Sequence, residues 1–216
     1  MTEQIPPDSA EIDPDAGLRD RLADEFMAEA AFDGWTRAAL AASGRALDLP
    51  AGEAERLFPG GPLQALAYVS ERADRRTVED MEKEGIAALK IRDRITRAVR
   101  IRLERHIGPR EAARRALSML SLPLNAGLAL KLLYKTVDAM LYAAGDTSTD
   151  FNFYTKRATL AGVYSSTLLY WLNDRSPGAE ATQAFLDRRI DDVMKFEKLK
   201  GQVRSWTGPK RPAARR

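Results

Sequence analysis

The spacing of apolar residues along this chain is that of α-helices. Leu18, Leu22 and Phe26 recur every four residues opposite acidic positions, and the same spacing returns between Ile91 and Ile107. The sequence contains no sustained alternation of period two and no two-residue hairpin signal, which are the patterns that indicate strands. It therefore predicts an all-α protein of roughly nine helices, each with an apolar stripe to bury.

Prolines and glycines predict where these helices stop. The run 59–62 (PGGP), Gly108-Pro109 and Gly145 each end a predicted helix, and Pro123 breaks or kinks a long apolar one because proline lacks the backbone donor. Ser176-Pro177 reads as an N-cap followed by the first residue of the last helix.

The same breaks suggest four regions. Residues 1–16 are rich in proline and acid and are expected to be a disordered tail, because they hold too little apolar surface to offset the entropy of ordering. Residues 17–60 form a compact three-helix head, 61–200 a larger helical domain, and 201–216 a flexible basic tail. The helix 126–144, apolar on most of its circumference, should be central to its domain or line a cavity.

The residue inventory argues against an enzyme. Without cysteine, and with His106 as the single histidine, the chain cannot build a thiolate or two-histidine metal site. No GxSxG, GxGxxG, P-loop or HExxH motif is present. We therefore expect no catalytic site, no metal and no cofactor, and we interpret His106 as a polar residue near a helix C-terminus.

The N-terminal sequence predicts a cytoplasmic protein. It has neither the basic start and apolar run of a signal peptide nor the arginine-rich character of a transit peptide. The longest apolar stretch is interrupted by Lys131, Lys135 and Asp138, so it is interpreted as a buried helix and not as a membrane span.

The head resembles the helix-turn-helix head of the TetR family. The features that carry the resemblance are small residues before Phe32, the turn 33–35 (DGW), a packing helix at 38–43 and the closing pair Leu57-Phe58. The segment that would read DNA offers Asp48, Glu53 and Glu55 against Arg56. Because neutralising phosphates supplies much of the affinity for DNA, we expect no nucleic-acid binding. The alternative, a TetR-like regulator with an apolar ligand, stays open.

A second resemblance is more specific. The run GDTSTDFNFYTKRATLAGVY and its continuation to Met194 are similar to the C-terminal domain of the Coq-nine family of ubiquinone-biosynthesis accessory proteins. This resemblance implies a TetR-like helical bundle with a degenerate helix-turn-helix head and a larger lipid-binding domain. It also implies a homodimer that binds isoprenoid lipid or quinone precursors and presents them to the di-iron demethoxyubiquinone hydroxylase.

The resemblance also implies a docking surface for that hydroxylase. The residues at the matching positions are Asp150, Asn152, Phe153, Tyr154 and Arg157. From the residues alone, ordinary core packing of Phe153 and Tyr154 and an N-terminal helix cap by Asp150 are the alternatives.

A polyprenyl carrier needs an apolar cavity and few polar groups. The candidate lining residues on the predicted helices 111–122 and 126–144, and on the helix after them, are Leu117, Leu120, Leu128, Leu132, Val137, Met140, Leu141, Leu160, Val163, Tyr164 and Leu168. The alternative for each of them is a place in the plain core.

The C-terminal segment combines apolar and basic residues. Residues 195–216 contain eight bases and one acid. This composition predicts peripheral contact with the inner face of the membrane, through Phe196, Lys198, Lys200, Arg204 and Trp206. A solubilising basic tail is the alternative.

Overall fold

A computed structural model of the chain describes residues 14–146 and 151–207. This part of the chain contains helices and turns but no strand, so the all-α prediction is confirmed. The helices are α1 (Ala16–Asp33), α2 (Arg37–Ala46), α3 (Glu53–Leu57), α4 (Pro62–Lys83), α5 (Ile91–Arg105), α6 (Arg110–Leu120), α7 (Ala126–Ala143), α8 (Phe151–Asn173) and α9 (Glu180–Thr207).

Helix ends fall at the predicted breaks. Helix α1 stops at Gly34, whose φ of 76° lies in the region that glycine adopts without strain. The Thr36 hydroxyl accepts a hydrogen bond of 3.1 Å from the backbone N–H of Ala39 and caps α2. Helix α9 continues past Gly201, the predicted start of the flexible tail, to Thr207.

Pro123 separates α6 from α7, as predicted. It opens a 3₁₀ turn at Pro123–Asn125, and the segments Arg110–Leu120 and Pro123–Ala143 are bent by 94° relative to one another. Taken together, these two segments meet the length and composition of a membrane span. No single helix in the described part of the chain does so.

The chain divides into two compact units that interleave along the sequence. Unit 1 is formed from the described parts of 1–76 and 105–136, and unit 2 from those of 77–104 and 137–216. The breaks in the sequence predict a boundary at residue 60 instead. The division differs because α6 returns to pack on α1 within unit 1. The roles assigned to the predicted regions stay predictions.

The core of unit 1 is built around the turn after α1. The Phe26 and Trp35 rings meet edge to face with their centroids 5.0 Å apart, and Phe26 is fully buried. Trp35 Nε1 donates a hydrogen bond of 2.9 Å to the carbonyl of Ala112 on α6. The indole thus satisfies its polar group while joining two distant stretches of sequence.

In unit 2, helices α8 and α9 pack together and ion pairs join α5 to α9. Arg100 Nη2 lies 2.8 Å from Asp187 Oδ2, and Arg92 Nη2 lies 2.5 Å from Asp191 Oδ1. The buried apolar side chains of these helices include Val99, Ile101, Leu160, Val163, Leu186 and Ile190. The basic side of α5 is therefore directed partly at acidic residues of the same chain.

The connection between α8 and α9 is organised by Asp174. Its carboxylate accepts hydrogen bonds from the backbone N–H and hydroxyl of Ser176, and from those of Thr182, at 2.5 to 2.8 Å. These hydrogen bonds hold the pKa of Asp174 below its ordinary value of 3.8. The predicted cap Ser176 contributes as well, because its hydroxyl accepts from the N–H of Ala181 at 2.9 Å.

We expect Asp174→Asn to lower the Tm by a few degrees at neutral pH, since the neutral amide cannot accept the same four bonds. The stabilisation by Asp174 is fully present above about pH 4 and is lost as pH falls through its lowered folded pKa. The difference in Tm between the two proteins should therefore narrow below pH 4. Asp192→Asn, which changes a half-exposed carboxylate, is the control. A constant difference across this range would contradict the assignment.

Candidate functional site

Unit 2 contains an apolar pocket of about 290 Å³. Four helices or their ends contribute to its wall: α5, the end of α7, α8 and α9. Its lining residues are Ile91, Arg92, Ile95, Leu141, Asp146, Thr155, Lys156, Thr159, Leu160, Val163, Ile190, Val193 and Met194. Most of these side chains are aliphatic, so the pocket suits an apolar guest with few hydrogen-bonding groups.

Exposure divides the pocket into an inner wall and a rim. The inner wall is buried and aliphatic, and it consists of Leu141, Leu160, Val163 and Ile190. The rim includes exposed side chains, among them Ile91, Arg92, Lys156 and Met194. A long amphipathic guest would thus place its apolar end inside and its polar end beside charged groups.

The eleven predicted lipid-binding residues fall into three groups. Three of them, Leu141, Leu160 and Val163, line the pocket. Another four are buried in unit 2 but are not part of this lining: Val137, Met140, Tyr164 and Leu168. The last four belong to unit 1: Leu117, Leu120, Leu128 and Leu132. Lipid binding by any of the eleven stays a prediction.

Sequence reasoning missed the contributions of α5 and α9 to the pocket. Ile91 and Ile95 start the apolar row of α5, and Ile190, Val193 and Met194 form the middle of the row of α9. Each row looks like an ordinary core stripe because core and cavity walls use the same residue types. The structure distinguishes the α5 row from a core stripe at Ile91, which lines the pocket and remains 49% exposed at the start of the helix.

Arg157 organises the predicted docking residues on α8. Its Nε donates to Asp138 Oδ1 at 2.8 Å, and its Nη1 donates to the carbonyl of Phe153 at 3.2 Å. The guanidinium carbon lies 3.3 Å from the centroid of the Phe153 ring, a cation–π contact. Because the Arg157 side chain is only 11% exposed, it positions Phe153 more than it presents charge to a partner.

The aromatic pair lies outside the core. Tyr154 is 70% exposed, and Phe153 is half-buried with its ring centroid 5.1 Å from that of Tyr154. Core packing is therefore wrong for Tyr154, and docking by both residues stays a prediction. Asp150 lies outside the described residues, and Asn152 belongs to α8 although its side chain is not described.

Asp146 connects the pocket with the aromatic pair. Its side chain is 5% exposed and lines the pocket. Its Oδ1 lies 2.6 Å from Lys156 Nζ, and its Oδ2 lies 3.7 Å from Arg157 Nη1. A guest that moves Lys156 would therefore act on the same carboxylate that helps to hold Arg157 beneath Phe153.

In the head, the basic side chain of α3, Arg56, already forms ion pairs within the chain. Arg56 Nη2 lies 2.7 Å from Glu53 Oε1, and its Nη1 lies 2.7 Å from Asp15 Oδ2. The hydrogen bonds that the guanidinium donates to these two carboxylates raise the pKa of Arg56 above its ordinary value. A DNA phosphate would have to compete with both carboxylates for this guanidinium, and the absence of DNA binding stays a prediction.

The fold places the chain among TetR-like helical proteins. A solved TetR transcriptional regulator from Nitrosomonas europaea superposes with a TM-score of 0.68, covering 81% of this chain and 97% of the regulator. The two sequences are 24% identical. The predicted TetR-like bundle is thus confirmed at the level of fold.

The sequence relatives define the family. A profile of the COQ9 family matches residues 126–197. The ubiquinone biosynthesis protein COQ9-B of Xenopus laevis is 35% identical over 211 residues, which are 94% of this chain and 72% of the frog protein. The chain belongs to the COQ9 family, as its motif predicted.

Other relatives are longer than this chain. The rat COQ9 protein is 40% identical over 179 residues, 80% of this chain and 57% of its own length. The human protein is 35% identical over 210 residues, 94% of this chain and 66% of its own length. All three are named as mitochondrial ubiquinone biosynthesis proteins, and this kinship supports a role in ubiquinone biosynthesis.

Proposed function

We propose that this protein is a non-catalytic accessory protein of ubiquinone biosynthesis that binds an isoprenoid quinone precursor and presents it to the demethoxyubiquinone hydroxylase. The observation that carries the proposal is the pocket of unit 2, with its buried aliphatic inner wall and its charged rim. Membership of the COQ9 family supplies the pathway.

The size of the pocket limits what it encloses. At about 290 Å³ it lies at the lower end of the roughly 300–1,000 Å³ typical of ligand pockets. It therefore takes a few isoprene units and not a whole polyprenyl tail. Burial of each methylene contributes about 0.8 kcal/mol, so a few units offset much of the cost of leaving a bilayer.

The hydroxylase docks on the aromatic pair Phe153-Tyr154. An exposed aromatic side chain on a rigid helix is a typical anchor of a protein interface. The contacts of Arg157 with Phe153 and Asp138 reduce the entropy lost when the partner binds. Because Asp146 contacts both Arg157 and the pocket-lining Lys156, a filled pocket and a docked partner influence one another.

The protein acts as a homodimer at a membrane that contains the quinone pool. Helix α9 runs through Phe196, Lys198, Lys200, Arg204 and Trp206, the residues predicted to contact that membrane. The relatives are named as mitochondrial proteins, which supports an association with a membrane that holds ubiquinone. Light scattering of the purified chain tests the dimer.

The quinone profile of a strain that lacks this protein tests the pathway step. We expect loss of ubiquinone and accumulation of demethoxyubiquinone, because the hydroxylase would lack its substrate-presenting partner. The wild-type gene should restore ubiquinone, whereas a variant defective in the pocket should restore little. An unchanged profile would refute the proposal, and accumulation of an earlier precursor would assign the protein to a different step.

A TetR-like regulator with an apolar ligand is the second function consistent with the fold. It requires salt-sensitive binding of duplex DNA, for which α3 offers an arginine already paired with Glu53 and Asp15. We expect no shift of genomic duplex fragments in a mobility assay, even at low salt. A shift that disappears as salt rises would favour the regulator.

A further inference from the structure

We propose that the turn between α6 and α7, with the face of α7 that follows it, inserts into the surface of a bilayer with anionic headgroups. The surface, here called the leucine stripe, consists of Leu122, Leu124, Leu130 and Tyr134. All four belong to unit 1, and none of them lines the pocket or belongs to the aromatic pair. It does not depend on the proposed function.

The leucine stripe is exposed to an unusual degree for large apolar side chains. Leu124 is 95% exposed, Leu130 69%, Leu122 54% and Tyr134 45%. Leu130 and Tyr134 are four residues apart and lie on one face of α7, and Leu124 precedes that face on the turn. Large apolar side chains that are exposed together on a turn and on the helix that follows it mark a site of interaction.

The turn holds these leucines outward. Asn125 is 9% exposed, and its Nδ2 donates a hydrogen bond of 2.8 Å to the carbonyl of Met119 at the end of α6. The N–H of Asn125 also donates to the carbonyl of Leu122 at 2.8 Å. The exposure of Leu124 is therefore a property of a hydrogen-bonded turn whose polar groups face inward.

The basic residues beside the leucine stripe indicate that its binding partner is an anionic surface. Of the basic residues in 110–135, Arg114 and Arg115 pair with Glu111 on α6, whereas Lys131 and Lys135 belong to α7 beside the leucine stripe. Lys131 and Lys135 directly follow Leu130 and Tyr134 on α7, so they flank this apolar face, and both are exposed. Lysine stems and tyrosine rings are suited to the boundary between acyl chains and headgroups. Each base near an anionic leaflet increases membrane affinity about fivefold.

The same charges disfavour binding of a second copy of the chain to the leucine stripe. A symmetric contact brings one surface against itself, so the Lys131 side chains of both copies would enter the same interface. An anionic leaflet neutralises Lys131, whereas a symmetric partner adds a second copy of the same charge. The glutamate that pairs with Lys135, Glu71 at 2.6 Å, belongs to the same chain and leaves Lys131 on the surface.

A site-specific fluorescent probe tests this contact on the full chain. The sequence has no cysteine, so Leu124→Cys creates a single labelling site for an environment-sensitive dye. We expect a blue shift of its emission with vesicles of phosphatidylcholine and phosphatidylglycerol, and little change with phosphatidylcholine alone. Phe32→Cys is the matched control, because Phe32 is 77% exposed in the same unit but lies in an acidic segment, and its probe should not shift.

Co-sedimentation of the unlabelled chain gives a second measurement. Leu124→Ser/Leu130→Ser should lower the affinity for the anionic vesicles about tenfold or more, with an unchanged Tm because both side chains are exposed. Phe32→Ser should leave the affinity unchanged. The quinone content of the double variant should equal that of wild type, and a change there would concern the proposed function instead.

Two results would overturn the membrane contact. In the first, the chain binds the vesicles while the Leu124→Cys probe stays unshifted, which assigns binding to another surface. In the second, the probe shifts with rising protein concentration in the absence of vesicles, which assigns the leucine stripe to a contact between copies.

Discussion

Val193→Glu on α9 is expected to abolish the binding of isoprenoid by the protein. Val193 lines the pocket and is half-buried, so a carboxylate at this position enters the apolar space without removing a fully buried core residue. A charge facing an apolar guest costs several kcal/mol. Quinone or lipid recovered by organic extraction and mass spectrometry should therefore fall at least tenfold.

The control for this substitution is Leu169→Glu. Leu169 is 58% exposed on α8 and is not among the residues that line the pocket, so the same charge should leave the bound lipid in place. Retention of lipid by Val193→Glu, or equal loss in both variants, would show that the lipid is bound elsewhere.

A bulky neutral side chain in the pocket distinguishes the effect of filling the cavity from the effect of adding a charge. Thr159 lines the pocket, whereas its neighbour Ala158 is exposed and does not. Thr159→Trp should displace the lipid by filling the cavity, while Ala158→Trp should have no effect on lipid content. Both variants should melt close to the wild type, because neither removes a buried side chain.

Tyr154→Ala is expected to weaken binding of the hydroxylase about thirtyfold, the size of an interface hot spot. Tyr154 is 70% exposed, so the Tm should change little. Leu169→Ala removes a comparably exposed apolar side chain farther along α8 and serves as the control. Biosensor measurements with the purified hydroxylase compare the affinities.

Arg157→Lys tests whether the contacts of the Arg157 guanidinium with Phe153 and Asp138 support docking. Lysine keeps the charge but lacks the planar group that stacks on Phe153 and donates to Asp138. We expect a smaller loss of affinity than for Tyr154→Ala. If Tyr154→Ala instead lowers the Tm and the affinity in parallel, the residue has a structural role and the docking assignment is wrong.

The sequence predicts the order of the helices because each end has a local cause. Gly34, Pro123 and Ser176 act through backbone geometry and short-range hydrogen bonds, and each lies at the break expected for it. The family motif in α8 is similarly local. These features require no knowledge of which helices pack together.

The pocket could not be predicted from the same patterns. Its wall depends on which helices come together, and the apolar rows of α5 and α9 resemble those of a filled core. Leu117 and Leu120, also predicted to line the cavity, belong to α6, which packs on α1 in unit 1, and they are not among the residues that line the pocket of unit 2. Periodicity identifies the buried face of a helix but not its neighbours or the space left between them.

The role of Arg157 was also hidden in the sequence. The motif indicates that a base stands near Phe153, but Asp138 lies 19 residues earlier on another helix. Only the folded arrangement shows that the guanidinium is mostly buried and supports the aromatic ring.

Photolabelling with an isoprenoid that carries a diazirine tests the central claim most directly. The purified protein is irradiated with the bound probe, digested and mapped by mass spectrometry. We predict labels on peptides of α8 and α9 that contain Leu160, Val163 or Ile190, competed by unlabelled quinone and absent in Val193→Glu. Labels confined to unit 1, or labels that quinone does not displace, would contradict a lipid-binding pocket in unit 2.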